Sequence, residues 1–409
     1  MTEKPVAIVL GGTMPHVSLV SKLKARGYCV LLADYTSNPP AKEVADEHVK
    51  TSTLDKNSVL KLAKDRNASV VISTSIDQSN ATCCFVAEKL GLPHPYSYQT
   101  ALAVTDKGLM KRVFVENGIP TSKYIVVESR WKNPIEEVHF PSVVKPVDCN
   151  SSKGVVRVDT KEELEKAVSV ALDLSRSHHA IIEDFNDGYE IQVDCLAYDN
   201  YADVLLTRKK RHINGENGMV LQSIGSIIPA TLNDSLTRQI KEIATQIMLA
   251  FGLKNTPFFY QAIVAEDGIK VLEFAPRSGG GLSSYMLQHF VGYDVIEAGI
   301  CSFLNVPIPK KCKDLDAIYL TTLLYMSPGV FDRVIGLESL LERKIIMDYF
   351  QYCNQGVTID GDMRSSNRIA SFVIKGKDEK EVYQKYQDAM KIVDIVNPEN
   401  VSVLRKELY

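Results

Sequence analysis

The sequence contains no CxxC pair, no Cys/His spacing of a metal site, and no run of like charge long enough for a nucleic-acid arm or an acidic tail. Without ligand spacing, its eight cysteines, including the adjacent Cys83-Cys84 in an apolar helical pattern, read as reduced and mostly buried thiols. Net charge is −3, and the densest basic cluster, Arg208-Lys209-Lys210-Arg211-His212, is too short to line a polyanion groove. No apolar stretch approaches the ~18 residues that cross a bilayer. The opening MTEKPVAIVLGG holds an apolar run of only about six residues, too short for a signal h-region. These absences exclude nucleic acid and membrane as expected partners and leave a cytoplasmic protein as the expectation. A dinucleotide fingerprint is missing as well. IVLGGTMPH enters a helix after a strand and Asp34 ends the second strand, but the glycines are adjacent and the GxGxxG spacing is absent. Tight strand-to-helix turns use glycine for steric reasons alone, so NAD is not expected there.

What is present is an ordinary globular composition, 45% apolar and 24% charged, in a chain of 409 residues. That length accommodates about two to four structural units. PVAIVL, YCVLLAD and SVVIST read as buried parallel strands, with HVSLVSKLKARG, LDKNSVLKLAKDR and QSNATCCFVAEKLG as their crossover helices. This predicts a doubly wound α/β unit over residues 1–95, closed by the prolines of LGLPHPYS. A helical pair follows, N-capped by Ser97 and Asp106 and stopped at NGIPTSKY. From 124 to 206 short strands are split around one helix with a capping box at Thr160-Lys161-Glu162-Glu163, an α+β pattern. A helix over 234–251 leads into the hairpin FFYQAIVAEDGIKVLEF. Residues 306–409 mix strands near 317–325 and 369–375 with a helix near 379–391, which predicts a small C-terminal α+β domain.

Three stretches place charge where apolar strands would not hold it. In VLEFAPRSGGG, residues 271–281, Glu273 interrupts a strand and Arg277 follows a proline. Reading Glu266-Asp267-Gly268 as a three-residue loop, with Ala265 facing Ile269, sets Gln261 opposite Glu273. Such a pair answers either to a hard cation such as Mg²⁺ or to a buried Gln–Glu hydrogen bond. In PSVVKPVDCNSSKGVVRV, Lys145 interrupts a strand that seldom accepts an unpaired ammonium. The small residues that follow, Ser151, Ser152, Lys153 and Gly154, either turn donors toward phosphate oxygens or form a plain loop. In AIIEDFNDGYEIQVDC, a strand ends at Glu183-Asp184-Phe185 and restarts at Glu190. That segment is either a purine-edge and ribose contact or an ordinary hairpin with exposed acids. The basic cluster TRKKRHINGENG reads as a solvated β-turn or as the border of a substrate pocket.

Taken in order, VTDKGLMKRVFVENGIP with Lys107, SVVKP with Lys145, the SSKG loop, EDFxxGxE and VLEFAPRSGGG resemble the ATP-grasp superfamily over residues 96–305. The resemblance is nearest to amino-acid ligases and the carbamoyl-phosphate-synthase-like group. It implies two α+β subdomains with the nucleotide between them, the lid spanning about 122–184 in this numbering. It also implies ATP and Mg²⁺ as cofactors, with Mn²⁺ able to replace the magnesium. Lys107 and Lys145 would contact the phosphates, and Ser151, Ser152, Lys153 and Gly154 would close over them. The backbone at Glu183, Asp184 and Phe185 would meet adenine, and Glu190 the ribose. Gln261 and Glu273 would hold the metal. Glu273 and Arg277 would be the catalytic residues, Arg277 facing the acyl phosphate or the substrate carboxylate. Arg208, Lys210, Arg277, Gly279 and Gly280 are the substrate-side candidates. Two departures stand out: Ala275 occupies the position of a ligand Asn, and Gln261 replaces the first metal acid with a neutral oxygen.

The activity implied is an ATP-dependent carboxylate–amine ligase with small-molecule partners, and a homodimer is compatible with it. Within the same fold, a bicarbonate-using carboxylase or carbamoyl-phosphate-type synthetase is the alternative. From another class, the alternative is a non-catalytic nucleotide-binding protein whose Gln261 and Ala275 mark a decayed site.

Overall fold

The computed structural model describes residues 4–128, 137–150, 153–213, 223–310, 313–360 and 367–409. Four parallel strands open the chain, in the spatial order Glu47–Lys50, Cys29–Asp34, Val6–Leu10, Ala68–Ile72. Their β-branched and aliphatic runs are buried on both faces; the helices Met14–Ala25 and Lys56–Asp65 return the chain between strands, and Asp77–Leu90 follows the last of them. The edge strand Glu47–Lys50 was not among the expected strands, because an edge with polar, half-buried residues carries no apolar run.

Ser97 and Asp106 cap the helices Tyr98–Thr105 and Lys107–Glu116 as expected, accepting from the Thr100 and Leu109 amides. A four-stranded antiparallel sheet follows, ordered Tyr124–Glu128, His179–Asp184, Ser142–Pro146, Val156–Val158. The helix Lys161–Leu174 covers it with Leu164, Ala167, Val168 and Ala171. The Glu183–Glu190 segment is not a hairpin. Strand His179–Asp184 belongs to this small sheet, whereas Tyr189–Ala197 lies in the next one, so the segment crosses between two sheets. Gly188 permits the crossing: its φ is +155° and a Cβ there would lie 2.3 Å from the Val264 carbonyl oxygen.

The largest sheet has eight strands, in the order Gly268–Ala275, Thr256–Ala265, Tyr189–Ala197, Ala202–His212, Ser223–Ile228, Ile318–Leu324, Ala370–Gly376, Asp348–Gln351. Every neighbouring pair is antiparallel. The expected boundary at 305/306 therefore does not separate the C-terminal strands from the sheet before it. Three of them extend that sheet directly, since Ser223–Ile228 would otherwise leave its backbone donors and acceptors unpaired.

The hairpin turn also differs from expectation. Ala265 faces Gly268, so the loop is the two residues Glu266-Asp267. A register shift between Gln261 and Ala262 then absorbs one residue, and Gln261 still faces Glu273. The basic cluster is strand rather than turn, so its side chains alternate between the two faces of the sheet.

Gly225 sits where the first-half and second-half strands meet, with φ +146° and a hypothetical Cβ 1.9 Å from the Thr321 carbonyl oxygen. Gly225→Ala is expected to destabilise the protein by about 1–3 kcal/mol, as overpacking against an immovable backbone does. Gly299→Ala, in the helix Val295–Phe303 where a Cβ meets nothing within 4 Å, should be neutral or stabilising. Urea unfolding of the two variants side by side measures the contrast.

Candidate functional site

The small antiparallel sheet, the large sheet and the N-terminal unit enclose a cleft of about 750 Å³. Its lining includes the apolar side chains of Met110, Val143, Val155, Ile263 and Leu272 together with a dense set of charged ones. Lys107, Lys145, Glu183, Asp184, Phe185, Glu190, Lys210, Gln261, Glu273, Arg277 and Gly280 all line it. Arg208, Gly279, Lys153 and Gly154 lie outside this lining, and Ser151 and Ser152 lie outside the described residues.

The carboxylate of Glu183 is almost fully enclosed. Lys145 Nζ donates to its Oε1 and Lys111 Nζ lies beside its Oε2, each at 2.9 Å, and Glu183 is only 2% exposed. Burial alone would push this carboxyl up, but the two ammonium groups more than offset it and hold it at about 2. Lys111 also donates to Thr121 Oγ1 at 2.6 Å and to the Val271 carbonyl at 3.3 Å. The ammonium of Lys145 thus has the partner that its strand position demands, and its remaining donors face the cleft. Lys107 Nζ donates to the Cys149 carbonyl at 2.6 Å, which links the first turn of its helix to the loop after Lys145. The Arg157 guanidinium stacks 4.4 Å from the centre of the Phe185 ring.

Glu190 is paired with His212 Nε2 at 2.9 Å and Lys210 Nζ at 3.3 Å. Burial opposes its ionisation, yet Lys210 and His212 hold its carboxyl at about 2. With its amide oriented to match its neighbours, Gln261 donates from Nε2 to Glu273 Oε1 at 2.9 Å and accepts from Lys210 Nζ at 2.8 Å. Gln261 and Glu273 therefore stand side by side at the cleft wall, and their oxygens are the donor type that Mg²⁺ prefers. Ala275, on the same strand, is buried and adds no ligand.

Arg277 Nε donates to Asp77 Oδ1 at 2.6 Å, and its second nitrogen meets the other carboxylate oxygen, a two-point pairing between segments 200 residues apart. Arg208 is placed differently from the candidates that face the cleft. It is buried, and its guanidinium is held by Asp194 at 2.7 Å and by Ser283 Oγ at 3.1 Å. Of the rest of the basic cluster, Lys210 and His212 reach the cleft, whereas Lys209 covers the Tyr189 ring and Arg211 the Tyr386 ring. A Ser–His contact exists in the N-terminal unit, with His16 Nε2 3.4 Å from Ser73 Oγ. It is no nucleophile pair for this cleft: both residues are buried outside its lining, and Ser73 donates to the Leu10 carbonyl at 2.5 Å.

Sequence reasoning missed Lys111, Asp77, Arg157, His212 and Arg368, all beside or in the cleft wall. Asp77 alone carried a usable signal, because it follows the carboxyl end of a parallel strand, where open α/β sheets bind ligands. Lys111 looks like any helical lysine, and Arg368 comes from beyond the expected boundary.

Residues 105–281 match the family described as phosphoribosylglycinamide synthetase, ATP-grasp (A) domain. The chain is 23% identical over 317 residues to formate-dependent phosphoribosylglycinamide formyltransferase of Mannheimia succiniciproducens, covering 76% of this chain and 78% of that protein. It is 26% identical over 323 residues to the protein of the same name in Chlorobium phaeobacteroides, covering 74% and 77%. Among solved structures, L-amino acid ligase from Bacillus licheniformis superposes with a TM-score of 0.79 at 20% identity, over 97% of this chain and 99% of that one. N5-carboxyaminoimidazole ribonucleotide synthetase from Thermotoga maritima gives 0.74 at 20% identity, over 97% and 100%.

Removing the Glu183 charge leaves the buried Lys111 ammonium and the Lys145 ammonium at the cleft wall without their shared carboxylate. Glu183→Gln is expected to cost about 3–5 kcal/mol of stability in chemical denaturation, as breaking a buried ion pair does. The pH dependence has a fixed sign. The folded-state value lies below the ordinary 4.5, so the contribution of Glu183 is complete above that value and is lost as pH falls toward about 2. Acid titrations of the wild-type and variant chains should converge over that window.

Proposed function

We propose that this member of the ATP-grasp superfamily is an ATP-dependent ligase that activates a carboxylate as an acyl phosphate and joins it to an amine, releasing ADP and phosphate. The observation that carries the reading is the convergence of Lys107, Lys145, Gln261, Glu273 and Arg277 on one cleft that also has apolar lining. A carboxylate does not react with an amine unaided, since its oxygen is a poor leaving group. In the first step a carboxylate oxygen attacks the γ-phosphorus and the bond to ADP breaks. In the second, the amine attacks the acyl carbon, phosphate leaves with the acyl oxygen, and the nitrogen loses a proton.

Both steps depend on positioned positive charge more than on a covalent nucleophile. Lys107 and Lys145 come from two elements that the Lys107–Cys149 bond holds together, so they present their charges to one phosphate chain. The apolar lining would take the base, with the sheet crossing at Glu183–Gly188 offering backbone groups to its edge. Gln261 and Glu273 would hold Mg²⁺, which when bound offsets the charge of the phosphate oxygens. Asp77 fixes the plane of the Arg277 guanidinium, which then faces the acid substrate from a set position. Substrate-side contacts also come from Gly280 and Arg368. Among the described residues no helix is long and apolar enough to cross a membrane. The cytoplasm, where ATP is supplied and thiols stay reduced, is the location that fits the free cysteines.

The test is an ADP-release screen over pairs of small carboxylic acids, amino acids and amines, with mass detection of the product, each pair with and without added bicarbonate. Amine-dependent ADP release with a product heavier by acid plus amine minus water supports the ligase. Release that follows bicarbonate alone would replace it with the carboxylase reading. Glu273→Gln should lower turnover by at least ~10²-fold with the circular dichroism spectrum unchanged, the scale expected for loss of a charge-stabilising group. Turnover near wild type in that variant overturns the assignment.

A further inference from the structure

We propose that the Lys210 ammonium takes the place of a second metal ion, so that this chain handles its nucleotide with one divalent cation and one fixed protein charge. The inference rests on the ATP-using reading above and goes beyond it in assigning Lys210 a role. The donor set is the first ground. On the two strands that face the phosphate end of the cleft, Glu273 is the only carboxylate, Gln261 offers a neutral oxygen, and Ala275 offers none. Two divalent cations would have to share that single protein carboxylate, so nearly all of the roughly six oxygens that each requires would have to come from phosphate and water. Among the described residues, no group of three or more His, Cys, Asp or Glu could hold a metal ion.

The second ground is where Lys210 points. It stands on the strand Ala202–His212, two strands from Gln261, and reaches across the intervening strand to place Nζ 2.8 Å from the Gln261 side-chain oxygen. One of the two lone pairs of the Gln261 oxygen is therefore taken by a cation, which leaves that oxygen able to serve one metal ion and not two, and its amide nitrogen donates on to Glu273. The result is an unbroken row, Glu190, Lys210, Gln261, Glu273, with the cation inside it supplied by the protein. A purely structural role for Lys210 would be served by Glu190 alone. That carboxylate already has His212 at 2.9 Å, closer than Lys210 at 3.3 Å. The side chain of Lys210 is 17% exposed and lines the cleft, so its third donor is open to a phosphate oxygen.

The experiment counts bound Mn²⁺ by electron paramagnetic resonance while the full chain is titrated with a β,γ-imido analogue of ATP. One Mn²⁺ per bound analogue is expected for the wild-type chain, and two would overturn the proposal without touching the ligase reading. Failure of the analogue to bind at all would overturn both. Lys210→Met should keep one Mn²⁺ and weaken the analogue by about 10-fold or more, the loss expected for a hydrogen bond to a charged group. Unchanged affinity in that variant counts against the proposal. Gln261→Glu combined with Ala275→Asn restores two oxygen ligands and should raise the count to two. In the Lys210→Met background the same pair should recover analogue affinity as Mn²⁺ is raised. A thermal unfolding midpoint matching wild type separates lost binding from lost fold, and the wild-type count stands whatever the variants do.

Discussion

One buried carboxylate ties together the parts that form the cleft. Glu183 belongs to the small antiparallel sheet, one of its ammonium partners to the neighbouring strand of that sheet, and the other to the helix Lys107–Glu116. Through Thr121 and the Val271 carbonyl, that helix is fastened in turn to the strand bearing Glu273. Three charges at one point therefore set the distance between Lys107 and Lys145 on one side and Gln261 and Glu273 on the other. The interaction is no cheap source of stability, because removing three charged groups from water is costly. What it provides is register: any other spacing of the two sheets leaves a charge unpaired in the interior.

The same economy runs through the rest of the cleft. Arg277 is matched by Asp77, Lys145 by Glu183, and Lys210 by Glu190. Before a ligand enters, each of these cations already has a fixed orientation, so little reorganisation is required when phosphate charge arrives. The pairings also span units: Asp77 opens the helix Asp77–Leu90 of the N-terminal unit, and Arg277 follows the strand Gly268–Ala275 of the large sheet. Asn150 donates to Gln78 at 2.8 Å, so the loop after Lys145 also touches that N-terminal helix.

Much of this was legible in the sequence, for identifiable reasons. Glu273 and Lys145 announced themselves because each breaks an apolar strand, and strands tolerate such residues only where something answers the charge. Gln261 was placed opposite Glu273 from hairpin counting, although the turn was one residue shorter and a bulge restored the pairing. Two errors cancelled in that case. The crossing at Gly188 was invisible because a hairpin and a sheet-to-sheet passage have the same local signature, two strands around a polar turn. Lys111 was missed because burial of a helical lysine is decided by a residue 72 positions away. Arg208 was assigned to the substrate on its position in a basic cluster, but strand alternation and Asp194 put it inside the protein.

The eight-stranded sheet runs without a seam past residue 305, and this bears on how such a chain can be inherited. The parallel N-terminal unit has its own sheet, and its core also takes in Ile296, Ile300 and Phe303 of the helix Val295–Phe303, so a replacement would have to keep that apolar contact as well as an acid at the position of Asp77. The last hundred residues have no such independence. Their strands Ile318–Leu324, Ala370–Gly376 and Asp348–Gln351 cover what would otherwise be the open edge at Ser223–Ile228, a template for pairing with other chains. Recombination at that point would release a sticky edge together with the orphaned segment. Descent should therefore have kept the two halves as one block, and lineages should differ more in the N-terminal unit than in the length or presence of the C-terminal strands.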